Sequence, residues 1–229
     1  ADRQPILSVD TKKKELIGNF KNPGRVWCQK PEQVNVHDFP QEALGRAVPY
    51  GIYDLLNNRG TLYIGQSADT PTFAVDNIAR WCETELLLYF PEATHLMLEA
   101  DGGGSNGYRS RVWKRDLQVK VVEAFNLTVT VCHYPTGASK WNPIEHRLFS
   151  EISKSWSGCP LRSFDLMLDY IRDTRTQTGL AVQASLVTQL YETGVKVPDE
   201  EIAALNIKVH DVCPRWNYTL YPRSTLLIH

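Results

Sequence analysis

Short buried runs alternate with longer amphipathic ones along the chain. Ile6 to Asp10 (Ile-Leu-Ser-Val-Asp) reads as a buried strand that ends on a carboxylate. A polar stretch bearing Pro and Gly follows from Lys12 to about Gly45, headed by Lys12-Lys13-Lys14. Val48 to Leu56 and Thr61 to Ala68 are strand-like, and Asn57-Asn58-Arg59-Gly60 between them predicts a hairpin turn. Thr70 to about Glu85 carries Phe73, Ile78, Trp81 and Cys82 at the spacing of an amphipathic helix. His95 to Ala100 is a second buried strand, running into Asp101. Gly102-Gly103-Gly104 then turns the chain, and Asn106 is placed to cap a long helix to about Asn126. Thr128 to His133 is strand by its β-branched content. A loop through Pro135 and Gly137 leads to a helix opened by Asn142-Pro143, and another helix runs from Ser163 to about Thr176. Beyond Gly179 the pattern weakens to a short acidic helix near Pro198 to Leu205 and an aromatic tail. Strands early and helical crossovers later predict an α/β fold, one mixed five-stranded sheet flanked by helices.

Length and composition narrow this further. With 229 residues, 42% of them hydrophobic, the chain can bury one large core. We expect a single domain over 1–229, with about 180–229 as a C-terminal extension packed on it. The first residues, Ala-Asp-Arg-Gln-Pro, lack an initiator Met and the apolar core of a signal peptide, as in a domain cut from a longer chain. No apolar run is long enough to span a membrane, so no membrane partner is expected. The five cysteines are dispersed with no C-x-x-C pair, the usage of reduced thiols in a cytoplasmic protein. A zinc site from Cys132, His133 and His146 would have the wrong ligand spacing for the common modules. The formal net charge is −1, without the basic excess usual in DNA-binding domains. Any positive surface must then be local, or be supplied by metal ions or another domain.

Three carboxylates carry the candidate chemistry. Asp10 and Asp101 each stand where an apolar strand ends; if the strands are parallel neighbours, both acids share the sheet edge where ligands bind in open α/β folds. Asp also follows strands simply because it starts turns. Glu145 follows Asn142-Pro143, and a capping box would account for it structurally. Yet Glu145, Phe149, Ile152 and Trp156 lie on one helix face, which turns the acid toward the sheet. Three carboxylates together repel one another unless cations bind between them, and hard oxygen donors suit Mg²⁺ or Mn²⁺. Two such ions ~3.5–4 Å apart would serve phosphodiester cleavage and transfer.

Several longer motifs are familiar. Ser8-Val9-Asp10-Thr11-Lys12-Lys13-Lys14-Glu15-Leu16-Ile17-Gly18-Asn19-Phe20-Lys21-Asn22 and Val36-His37-Asp38-Phe39-Pro40 resemble a bacterial insertion-sequence family of DDE transposases. So do Ala100-Asp101-Gly102-Gly103-Gly104-Ser105-Asn106-Gly107 and Ser139-Lys140-Trp141-Asn142-Pro143-Ile144-Glu145-His146-Arg147-Leu148-Phe149-Ser150. This is the ISAzo-type family, related to the mariner-like superfamily, and the likeness runs from about Ser8 to Tyr218. The resemblance implies an RNase H-like catalytic domain whose acids are Asp10, Asp101 and Glu145. It further implies metal-dependent cleavage and joining of DNA in the bacterial cytoplasm, a possible homodimer in the active assembly, and a separate N-terminal DNA-binding region that is absent here.

Secondary candidates surround the triad. Lys12, Lys13 and Lys14 could contact DNA phosphate or be a solvated run. Lys140 and Arg147 flank Glu145 and could steer the backbone; His146 could orient water, and Asn142 could support the acids. Trp141 could stack on an unpaired base or pack as an apolar anchor. Gly102, Gly104 and Gly107 also satisfy G-x-G-x-x-G between a strand and a helix. A dinucleotide-binding enzyme is therefore a rival reading, although Asp101 would repel a pyrophosphate. A nuclease that cuts without joining, or a non-catalytic DNA-binding relative, would share the same residues.

Overall fold

The structure, a computed structural model, describes residues 3–36, 40–135 and 137–223. His37, Asp38 and Phe39 of the second motif lie outside the described residues.

β1 (Ile6–Thr11) is the hub of the sheet. It pairs antiparallel with β3 (Gly45–Asp54), which pairs antiparallel with β4 (Arg59–Gly65). On its other side it runs parallel to β5 (His95–Ala100), itself parallel to β6 (Thr128–His133). These are the five expected strands, in one mixed sheet. The β3–β4 hairpin turns as its sequence predicts. Asn58 takes a left-handed φ of 52°, and Asp54 Oδ1 accepts from the N–H groups of Leu56 (2.9 Å) and Asn57 (3.2 Å).

The sheet is nevertheless wider than five strands. β2 (Glu15–Ile17), inside the stretch read as polar, pairs with β3. The region after Gly179 supplies β7 (Ala181–Val187), parallel to β4 at one edge. It also supplies β9 (Asn217–Leu220), antiparallel to β6, and β8 (Ile207–Val209) beyond it at the other edge.

Side chains alternate across β1, so Leu7 and Val9 enter one core while Ser8 and Asp10 face the other side. The first core lies under α1 (Pro71–Trp81), which continues through Cys82–Leu86 into α2 (Leu87–Tyr89), and under α3 (Arg111–Leu117) with its continuation Gln118–Glu123. Thr70 caps α1, accepting from the Phe73 N–H at 3.1 Å, with Pro71 in the first turn. The cap of α3 is Ser110 and not Asn106, as the sequence had suggested. Asn106 sits in the turn Gly104–Asn106 with its amide turned inward, donating to the buried Val9 carbonyl (3.2 Å) and accepting from Tyr50 Oη (2.9 Å). A buried carbonyl needs that donor more than an exposed helix end does.

The second core lies over β3, β4 and β7, beneath the helical run Glu145–Phe149, α4 (Ser150–Ser155) and α5 (Phe164–Arg172), the last capped by Ser163. Phe149, Ile152 and Trp156 are buried there as their spacing predicts. Two glycines set how closely the Glu145 helix approaches. A Cβ on Gly51 would stand 2.4 Å from Phe149 Cε1, and one on Gly60 would stand 2.3 Å from Leu148 Cδ1. α6 (Asp199–Ala203) completes the helices, and no described helix is long and apolar enough to cross a membrane.

Candidate active site

Val9 pairs with Ala100 in the parallel β1–β5 register, so Asp10 and Asp101, one residue further along each strand, stand side by side at one end of the sheet. Each carboxylate folds back on its own chain. Asp10 Oδ1 accepts from the Thr11 N–H and Asp101 Oδ1 from the Gly102 N–H, both at 2.7 Å. The two acids line a cleft of about 600 Å³ with Lys13, Lys14, Arg46 and Asp69.

The helix of Glu145 is tied to β1 through two buried polar groups. Ser8 Oγ donates to Asn142 Oδ1 at 2.5 Å and accepts from the Ile144 N–H at 3.3 Å. The Asn142 amide in turn donates to Asp10 Oδ2 at 3.3 Å. Thus the capping box expected at Asn142 is not formed: Ser8, reaching across from the sheet, satisfies the helix start, and Asn142 serves Asp10. Ser8 was missed by the sequence reading. The available signal was its position two residues before Asp10, on the same face of the strand.

Electrostatics couple the acids. Burial, with added repulsion from Asp101, Glu145 and Asp69, pushes Asp10 up to about 7, against the lowering effect of the Thr11 N–H. Glu145 is also raised, first by burial and then by Asp101, while Lys12 and His146 pull it down. Glu145 lines a second, smaller cavity with His146, Phe149, Ser150 and Ser153, and the two cavities share Lys12 and Lys13. Among the described residues, no three acids, histidines or cysteines converge closely enough to hold one metal ion.

The remaining candidates separate. Lys13 and Lys14 are exposed at the cleft, but Lys12 is buried, with its Nζ 3.0 Å from Glu15 Oε1. Trp141 is 68% exposed, with the Lys140 ammonium 5.1 Å above its ring, so it does not act as an apolar anchor. His146 is engaged with the Lys140 carbonyl at 2.6 Å, and Arg147 lines a different cavity beside Tyr53 and Thr178. Asp69 and Ser105 join the site unforeseen: Thr11 Oγ1 donates to Asp69 Oδ1 (3.1 Å) and lies 3.2 Å from Ser105 Oγ. His133 is no zinc ligand; its ring nitrogens lie 2.7 Å from the Asn106 carbonyl and 2.9 Å from that of Trp216. The glycine run does not open a helix either, since α3 begins only at Arg111, which removes the phosphate cradle a dinucleotide fingerprint requires.

The family model described as Rhodopirellula transposase DDE domain matches residues 1–222. The chain belongs to that family. Among curated proteins none matches this DDE domain. Two solved structures are similar to it at 13% sequence identity: the Mos1 transposase paired-end complex with left transposon end (TM-score 0.49) and the Mos1 mariner paired end complex with Mn (TM-score 0.47). Each match covers 72% of the DDE domain and 46% of the other chain, so the domain spans less than half the length of those proteins.

Proposed function

We propose that this DDE domain cuts and joins DNA, with Asp10, Asp101 and Glu145 as its catalytic acids and divalent-ion ligands. The observation that carries this reading is the pairing of Asp10 and Asp101 on adjacent parallel strands, with Asp10 bonded through Asn142 to the helix start that bears Glu145. The oxygen donors suit such an ion by their chemistry, although the three carboxylates do not converge on one point in this fold. An acid raised to about 7 by burial, with added repulsion from its acidic neighbours, lacks a counter-charge, and carboxylate oxygens suit Mg²⁺ or Mn²⁺. When bound, a pair of such ions supplies charge neutralisation at the phosphate and activation of the attacking oxygen.

The chain's own residues prepare that site. Ser8 and Asn142 fix the Asp10 carboxylate relative to the Glu145 helix. Lys13, Lys14 and Arg46 border the cleft, where exposed cations meet the phosphates of a DNA strand. Trp141 offers an open ring face to an unpaired base. In this reading 1–229 is one RNase H-like domain, with the segment from about 180 as an extension built onto the sheet edges. It acts on transposon ends and target DNA at the bacterial chromosome, as a homodimer in its active assembly.

The test is incubation with nicked and precleaved DNA ends in Mg²⁺ or Mn²⁺. Cleavage and strand transfer are expected, and both should vanish in Asp10→Asn, Asp101→Asn and Glu145→Gln. Cleavage without transfer would make the domain a nuclease. Activity surviving all three substitutions would refute the triad.

A further inference from the structure

Asp10 is stitched to the loop of Asp101 on both of its flanks. On one side, the Asn106 amide donates to the Val9 carbonyl at 3.2 Å. On the other, Thr11 Oγ1 lies 3.2 Å from Ser105 Oγ and donates to Asp69 Oδ1 at 3.1 Å. Ser105 and Asn106 are neighbours in the turn that follows Asp101, and both are buried. The direction of the second stitch follows from its chemistry. A hydroxyl has one proton, and the Asp69 carboxylate takes that of Thr11. Thr11 Oγ1 therefore accepts from Ser105, and the chain of donors runs from Ser105 through Thr11 to Asp69. It joins three segments at the cleft: the end of β1, the turn after β5 and the residue before the cap of α1. The Thr11 backbone N–H meanwhile holds Asp10 Oδ1 at 2.7 Å. One residue thus grips the acid with its main chain and the opposite loop with its side chain.

We infer that Thr11 is a positioning residue of the site: its hydroxyl, held between Ser105 and Asp69, sets the spacing and direction of the Asp10 carboxylate relative to Asp101. The parallel ladder of β1 and β5 ends at Val9 and Ala100. Beyond it, the two acids depend on side-chain ties for their separation. A β-branched side chain suits a strand end with or without a hydroxyl, and Val would keep the shape of Thr11 without the tie. Asp69 acts here through Thr11. The inference rests on the assignment of Asp10 and Asp101 as ligands of the divalent ion. Its consequence is that exchanging one oxygen for a methyl, with no change of charge, loosens the hold of the site on that ion.

The experiment is calorimetric titration of the whole domain with Mn²⁺ alone, beside single-turnover cleavage of a DNA end over a range of Mn²⁺ concentrations. Thr11→Val should weaken Mn²⁺ binding about tenfold, the low end of the loss when a group that orients a metal ligand is removed. The Mn²⁺ concentration for half-maximal cleavage should rise by the same factor, while KM for DNA stays within about twofold of wild type. Thr11→Ser keeps the hydroxyl and should return Mn²⁺ affinity to within about threefold of wild type; a packing role would instead favour Val, which keeps the shape. Ser105→Ala breaks the same chain from its other end and carries the same expectation should Thr11→Val fail to fold. Combined with Thr11→Val, it should weaken binding by no more than about a further twofold, because the two residues act as one unit. Unchanged Mn²⁺ binding in folded Thr11→Val or Ser105→Ala, or binding weaker in Thr11→Ser than in Thr11→Val, overturns the inference, provided Asp10→Asn abolishes binding. Binding that is indifferent to Asp10→Asn overturns the ligand assignment itself, and the role of Thr11 with it.

Discussion

In the metal-free domain, Asp10→Asn should stabilise the fold, by an amount that depends on pH. Asp10 ionises at an ordinary 3.8 in the unfolded chain and near 7 in the folded one, because burial and the facing acids oppose its charge. Below pH 3.8 the carboxyl is protonated in both states and nothing is lost. Between 3.8 and about 7 the unfolded chain gives up its proton first, so folding stability falls as pH rises, and the penalty is complete above 7. At about 1.4 kcal/mol per pH unit, the full penalty is about 4 kcal/mol. Asparagine never ionises and escapes it. Its amide oxygen can still accept from the Thr11 N–H, but its NH₂ would face the Asn142 NH₂, which now donates to Asp10. Rotation of the Asn142 amide relieves this, since Ser8 Oγ has lone pairs for both Asn142 and the Ile144 N–H. Allowing about 1–2 kcal/mol for imperfect rearrangement, the variant should gain at least about 2 kcal/mol at pH 8. For 229 residues that is a rise in Tm of roughly 5 °C. Urea unfolding in EDTA at several pH values between 4 and 8 measures it: the variant should lead at pH 8, lose that lead as pH falls, and be the less stable of the two by about 1–2 kcal/mol near pH 4. Saturating Mn²⁺ should narrow or reverse the gap, because only the wild type keeps its full ligand set. A variant no more stable than wild type at pH 8, or one with the same gain at pH 4, would refute the electrostatic account.

Three further predictions follow from the packing and the charges. Gly51→Ala drives a methyl into Phe149 and Ile144, and should cost about 1–3 kcal/mol in denaturant unfolding while reducing cleavage, because the Glu145 helix must lift from the sheet. A Gly51→Ala domain with wild-type stability and activity would show that the helix is free to shift. Ser8→Ala leaves the Ile144 N–H and the Asn142 amide oxygen without their partner and should cost about 1–3 kcal/mol; a double-mutant cycle with Asn142→Ala should show coupling of about 1 kcal/mol. Replacing Lys13 and Lys14 together by Ala should lower the slope of log binding constant against log salt for duplex DNA by up to about 2, and an unchanged slope would remove them from the interface.

The strands that carry Asp10 and Asp101 were legible because both are short apolar runs closed by a polar residue, a local pattern that needs no knowledge of partners. The Glu145 helix was legible for the same reason, through the apolar spacing of Phe149, Ile152 and Trp156. What was not legible depends on groups distant in sequence. Asn142 has every local mark of a helix cap, and only the arrival of Ser8, 134 residues earlier, frees its amide for Asp10. Lys12 reads as part of a solvated basic run until Glu15 and Trp156 enclose it. β8 and β9 are short, and β7, though seven residues long and alternating in burial, is built largely of small and polar residues. They exist because β4 and β6 offer unpaired edges to them, and pairing across long sequence separations leaves no periodic trace.

The two ends of the sheet are closed by the same late part of the chain: β7 completes one margin, and β8 and β9 complete the other. After Val187 the polypeptide must therefore travel the full breadth of the sheet, seven strand spacings or about 33 Å, before it pairs again. During synthesis the strands that bear Asp10 and Asp101 emerge first; the β4 margin stays open until 181–187 have left the ribosome, and the β6 margin until 217–220 have. Such long-range closure makes for slow folding, with exposed strand edges while it lasts. The nascent domain thus passes through a window in which its acid-bearing strands are assembled but its borders are adhesive, and the rate at which the final strands dock sets how long that window lasts.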